Sequence, residues 1–290
     1  MALGASILDW LTIVFANLGV LILAALGLAI IFGMMGIINL AHGEFIMVGA
    51  YATAISYHQL SAPLPVAILV GGLATGVLGL ILERTIIRHL YDRLIDSMVA
   101  TWGISLILIQ ATLLTFGSRY PGIPTPFGPL QLGPVSMSMY SAVMTLTALG
   151  LLGVVYLVFQ YTDYGLKARA TMQDDDMARS LGVDTDAVYM GTFLFGSFVT
   201  GLAGGLFAPT VSVVPELGTS FIIEAFVTVI VGGTNVLVGT FGSALSLSTI
   251  RSLGAQLFGT LVGRVTLLVT AIVIIRLLPQ GITTYLEERS

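Results

Sequence analysis

The residues suited to chemistry in this chain are few and fall in three places. Asn39, His42, Gly43 and Glu44 sit together in GMMGIINLAHGE (33–44), a polar cluster inside an apolar stretch. Such a cluster is costly in apolar surroundings unless it faces a cavity or other protein. If Gly43 opens a half-helix, its amides and the positive end of the helix dipole could bind a carbonyl or carboxylate oxygen, with Asn39 adding a side-chain amide. The competing reading has His42 and Glu44 capping a helix near the cytoplasmic surface. Glu224 and Arg251 are the second place, about 8 Å and 15 Å into their expected helices at the usual rise per residue. A buried ion pair would keep both charged. Alternatively, Arg251 snorkels and Glu224 faces an external vestibule. The third place is DYGLKARATMQDDDMARSLGVDTD (163–186), the longest polar stretch of the chain.

Other chemistries lack their residues. A phosphate-cradling loop needs Lys followed by Ser or Thr, whereas Lys167, the chain's single lysine, precedes Ala168. His42, His58 and His89 have no metal-like spacing, there is no cysteine, and no serine stands in a nucleophile-elbow pattern. No enzymatic activity, cofactor or metal is expected. Two functions remain open. Glu44, Glu224, Arg251 and His42 could serve a gradient-driven carrier or channel, and a passive permease driven by a separate ATPase would also suit this chain.

The elements that position these residues follow from composition. Of 290 residues, 56% are hydrophobic and 9% charged, against roughly 25% charged in a soluble domain. Uncharged runs such as 10–43, 45–82 and 120–162 each exceed the ~20 residues that cross a bilayer, and they do not alternate as barrel strands would. The fold class is therefore all-α, one polytopic transmembrane domain over 1–290. Pro, Gly and charge clusters predict nine spans, with eight to ten defensible: 11–33, 43–58, 66–83, 97–116, 139–160, 186–208, 219–237, 242–258 and 264–279. Arg84, Arg88 and Arg93, then Lys167, Arg169 and Arg179, place two connections in the cytoplasm by the positive-inside rule. Residues 117–138, holding five of the ten prolines, then form an ordered, non-helical external loop. The N-terminus lies outside and the Glu287, Glu288, Arg289 tail inside.

Glycines at small-residue spacings, Gly201, Gly204 and Gly205 or Gly71, Gly72, Gly76 and Gly79, suit close helix packing. GMMGIINLAHGE and GGTNVLVGTFG (232–242) differ, each interrupting an apolar region with Gly and Asn, one in each half of the chain. That arrangement points to discontinuous helices beside a transport site. Within 163–186, Asp174, Asp175 and Asp176 suit a helix start and Gly182 a C′ stop, framing a helix of about two turns. Met177, Ala178 and Leu181 would form its apolar face, and Arg179 suits the negative end of its dipole.

Gly165, Arg169, Ala170, Gln173, Asp174, Met177, Ala178, Leu181, Gly182 and Val183 resemble the cytoplasmic coupling segment of ABC-importer permeases of the branched-chain amino acid and urea type. IINLAHGEFIMVGAY (37–51) resembles that family's first signature, GTSFIIEAFVTVIVGG (218–233) its second and RLLPQGI (276–282) its C-terminal ending. The resemblance spans about residues 20–282. Thr234 and Asn235 depart from the Gly-Gly-x-Gly continuation of the second signature. RATMQ (169–173) and GTSFIIEAF look closer to the urea and amide branch. The resemblance implies a multi-pass inner-membrane permease that moves a small polar solute, urea or a short amide or a branched-chain amino acid. It also implies a second related permease chain or second copy, two ATP-binding subunits on the cytoplasmic face, a periplasmic solute-binding protein and surrounding lipid, with no nucleic acid. Arg169, Asp174, Met177, Ala178, Leu181 and Gly182 would carry the ATPase coupling. Asn39, His42, Gly43, Glu44, Glu224 and Arg251 would belong to the solute pathway.

Overall fold

The computed structural model describes residues 2–91, 93–132, 135–233, 236–278 and 281. Eleven α-helices follow in order: α1 (Ala2–Met35), α2 (His42–Gln59), α3 (Leu64–Thr85), α4 (Leu94–Phe116), α5 (Met139–Tyr161), α6 (Asp163–Gln173), α7 (Asp175–Ser180), α8 (Thr185–Phe207), α9 (Thr219–Gly232), α10 (Val236–Phe258) and α11 (Thr260–Leu277). Eight of the nine expected spans fall each on one helix, while the ninth, 219–237, covers α9, its Gly233 stop and the first residues of α10. Six of them, α1, α3, α4, α5, α8 and α11, are long and apolar enough by themselves to cross a membrane. The remaining three have physical reasons to differ. Most of α2 is buried in protein and carries polar residues. The 14 residues of α9 reach about 21 Å, short of the ~30 Å hydrocarbon core. Ser243, Ser246, Ser248, Arg251 and Ser252 lower the hydropathy of α10.

Both expected helix interruptions occur. α1 stops where Gly36, at φ 64°, donates its amide to the Phe32 carbonyl, and residues 36–41 are non-helical before α2. α9 stops where Gly233, at φ 85°, donates to the Val229 carbonyl. This break comes earlier than the expected end at 237, because a left-handed glycine terminates the helix before the apolar run does. Thr234 and Asn235 lie outside the described residues, as do Pro134, most of RLLPQGI beyond Leu278 and the 287–289 tail.

Contacts gather the chain into two units, Met1–Ala25, Thr125–Gly153 and Glu224–Ser290 in the first, Leu26–Pro124 and Val154–Ile223 in the second. In the first unit, the Thr145 hydroxyl of α5 bonds the Phe15 carbonyl of α1 at 3.0 Å, and Asn17 reaches Ser252 of α10 at 3.0 Å. α10 packs along α11. The α4–α5 connection is non-helical, and its second part pairs as antiparallel strands β1 (Pro129–Leu132) and β2 (Val135–Ser138), with Leu130 opposite Met137. The hairpin was not expected, since five prolines read as loop.

In the second unit α8 is the central post. Gly72 faces Leu202 and Gly79 faces Ser197, so α3 runs antiparallel to α8 and ends beside its start. A Cβ on Gly71 would sit 2.6 Å from the Gly49 carbonyl, and Gly49 and Gly201 meet more closely still. Side chains are absent here because backbones touch, the expected use of small residues where lipid offers no hydrophobic drive. Thr53, Thr75 and Thr200 turn their hydroxyls onto carbonyls four residues back, so these apolar seams hold no stranded hydroxyl at those positions. Ile31, Ile37, Ala41, Phe45, Ile87, Ile104 and Phe193 form a buried core around the first break.

Candidate functional site

The first signature folds into a buried bend. Asn39 Oδ1 accepts the Ala41 amide at 3.0 Å and its carbonyl accepts the His42 amide at 3.2 Å, a turn that reverses the chain into α2. Thr101 of α4 fastens it by accepting the Leu40 amide at 3.0 Å. Helix α2 begins at His42, one residue before the expected Gly43. Asn39 is 1% exposed and Glu44 2%, so the start of α2 lies in protein and not at a wet surface. Gly43 is there for close approach: its Cβ would stand 2.6 Å from the Gly218 carbonyl. The two signature motifs therefore meet backbone to backbone at Gly43 and Gly218. Asn39 Nδ2 and one Glu44 oxygen are buried without a hydrogen-bond partner among the described residues, and Ser105 of α4 stands beside Glu44. Buried polar atoms left open in this way are what a site awaiting water or solute presents.

Glu224 and Arg251 do pair. Arg251 Nη1 donates to Glu224 Oε2 at 2.8 Å, and Arg264 Nε, from α11, donates to Oε1 at 3.0 Å. The carboxylate is thus clamped on both oxygens, and the vestibule reading of Glu224 does not hold, since its side chain is only 7% exposed. Sequence reasoning missed Arg264, although a lone charge in an apolar run was the available signal. Thr101 and Ser105 were also missed, and that Gly218, the first residue of the second signature, meets Gly43 becomes visible only when the chain is folded.

The polar stretch holds two helices where one was expected. Thr162 caps α6 by accepting the Gly165 amide at 3.1 Å. The Tyr164 hydroxyl docks α6 on Thr192 of α8 at 2.7 Å, and burial pushes that phenol above its usual range, so it stays protonated. Arg169 turns back onto the Phe159 carbonyl and Gln160 at the end of α5, which makes it an anchor of α6. α7 then forms as expected. Asp174 Oδ1 caps it at the Met177 amide, 2.9 Å. At its end Gly182, φ 87°, donates to Arg179 and Val183 donates to Ala178, the paired bonds of a Schellman stop. Ala178 is buried, whereas Met177 is 58% and Leu181 78% exposed. Arg179 pins the knob between Asp175 at 3.1 Å and Asp186 at 2.8 Å. Those carboxylates, Asp175 first, raise its pKa further.

The family profile described as "Branched-chain amino acid transport system / permease component" matches residues 10–278. The high-affinity branched-chain amino acid transport system permease protein LivH of Escherichia coli (strain K12) is 28% identical over 281 residues, 90% of each chain. BraD of Pseudomonas aeruginosa, named for the same system, is 29% identical over 255 residues, 82% of each chain. The probable branched-chain amino acid transport permease protein LivH of Methanocaldococcus jannaschii is 28% identical over 288 residues, 93% of this chain and 90% of that one. No solved structure matches.

Proposed function

The chain belongs to the family of branched-chain amino acid transport system permease components, and from that premise we propose how it works. It is the multi-pass, inner-membrane permease subunit of an ABC importer. Membership does not favour the gradient-driven alternative. Our reading is that 1–290 acts as one transmembrane domain with 163–186 in the cytoplasm and 117–138 outside. ATP hydrolysis belongs to two ATP-binding subunits seated on 163–186. A second related chain or second copy completes the pore, and a periplasmic binding protein delivers the solute. Asn39, His42, Gly43 and Glu44 are assigned to the solute path, and Glu224 and Arg251 to it as a fixed charged pair. The solute we favour is a branched-chain amino acid, the class in the relatives' names. Urea or a short amide is the second reading, favoured by RATMQ and GTSFIIEAF.

One observation carries the proposal: a helix capped at both ends presents Met177 and Leu181 outward from a chain without a nucleotide motif. Energy from ATP must then arrive by contact, and a rigid knob suits that. Gly182→Val forces a branched side chain into a left-handed backbone and tilts the knob without touching the spans. The test reconstitutes the permease with its partners and measures solute-stimulated ATP hydrolysis together with leucine and urea uptake. Gly182→Val and Met177→Asp should insert normally and lose the stimulation. Stimulation at the unmodified level in both would make 163–186 an ordinary connector.

A further inference from the structure

Beside the knob, the end of α3 with the turn after it and the start of α8 border a half-open groove of about 310 Å³, within the ~300–1,000 Å³ of small-molecule sites. Its lining carries both signs of charge. Arg84 and Arg88 are exposed and enter no ion pair among the described residues. Asp184, which caps α8, and Asp186 in its first turn supply the negative charge. Asp184 spends one oxygen on the Ala187 amide at 3.0 Å, and Asp186 one on Arg179 at 2.8 Å. Each has a second oxygen that no described residue engages. Glu83 also lines the groove but is 3% exposed and holds the Tyr91 hydroxyl at 2.5 Å, which withdraws it from recognition. Burial, and then Glu83, push the Tyr91 hydroxyl well above the ordinary phenol range, so that bond persists as a neutral donor to a carboxylate. Tyr91 packs on Tyr189 with ring centres 4.8 Å apart, and Met190 adds an apolar surface.

A purely anionic ligand would meet the aspartates here and a purely cationic one the arginines. A zwitterion satisfies both: its carboxylate suits the guanidinium forks, its ammonium the aspartate oxygens, and an apolar side chain lies against Tyr91 and Met190. We propose that this groove binds a free α-amino acid with an apolar side chain and that occupancy throttles import. The link to transport is Asp186, which also pins Arg179 of α7. An ammonium drawn to Asp186 competes with that pin and loosens the knob. The inference rests on the proposed function for the choice of amino acid and for the side of the membrane, not for the groove itself.

The test uses the permease with its ATP-binding subunits in lipid nanodiscs, where both faces are accessible, and radiolabelled leucine without binding protein. Leucine should bind saturably, and Arg84→Gln and Arg88→Gln should each weaken it about tenfold. Leucinamide and 4-methylpentanoate, which keep one charge each, should compete about tenfold worse than leucine. With solute-loaded binding protein added, excess leucine should depress stimulated ATP hydrolysis in the unmodified complex and not in Arg88→Gln. No saturable binding, binding indifferent to both variants, or 4-methylpentanoate competing as well as leucine would overturn the groove assignment. Stimulation by loaded binding protein at low leucine reports the proposed function separately, so its loss would sink that reading and leave the groove measurement standing.

Discussion

Glu44 and Glu224 are both buried in helices of a membrane protein, yet they have been given opposite company. Glu224 is held on both oxygens by Arg251 and Arg264. Glu44 has no ion pair and keeps an oxygen without a partner among the described residues, with Ser105 as its polar neighbour. A carboxylate shared by two guanidiniums cannot turn to a passing solute without giving up both bonds and leaving Arg251, which is mostly buried, without its partner. A carboxylate with spare acceptor capacity can receive a donor at little rearrangement. The contrast separates a charge that fixes helices from one available for recognition, and substitution can test the division.

The largest effect belongs to the clamp. Glu224→Gln leaves Arg251, 18% exposed, facing a neutral amide while Arg264, 54% exposed, can turn to water, and the purified protein should lose about 3 kcal/mol in chemical unfolding. Adding Arg251→Gln should recover part of that loss, because the pair is then removed together, whereas strictly additive losses would count against direct coupling. Next comes the wall behind Glu44. Gly43→Ala drives a methyl into the Gly218 carbonyl and should cost about 1–3 kcal/mol in the same measurement. Glu44→Gln should move stability by no more than about 1 kcal/mol while transport per folded complex drops about tenfold or more. Unchanged transport would erase the distinction between the two glutamates. The smallest stability change is expected at the knob. Leu181→Ser, at an exposed position, should stay within about 0.5 kcal/mol yet release the ATP-binding subunits on purification.

The sequence was most informative where local chemistry decides structure. Asp174 and Gly182 bracket α7 because a cap and a left-handed stop are properties of a few neighbouring residues. Apolar runs marked the nine long helices for a similar reason. α6 escaped because its buried face is made of small residues, Gly165, Ala168 and Thr171, and it owes its order to docking, through Tyr164 on α8 and Gly165 against the Phe159 backbone. The β hairpin escaped because prolines at an edge strand look like loop. Within the candidate site, the polar residues of the first signature could be picked out by their cost in lipid. Their true neighbour, Gly218, stands far along the chain, and no local pattern ties it to Gly43. Arg264 stood out as a lone charge in an apolar run, but its pairing was hidden for the same reason, its partner Glu224 lying two helices away.

The glycine seams around α8 have a consequence for how the molecule is made. α2 and α3 are synthesised first, and the seams on Gly49 and Gly71 are completed only when α8 arrives. The residues separating Thr85 from Thr185 take about 5–20 s to emerge from a ribosome at ~5–20 residues/s. During that interval the nascent chain carries an unfilled slot shaped to a backbone that does not yet exist. Anything with a side chain that enters the slot first must leave before α8 can seat, so one step open to error in biogenesis falls midway through translation.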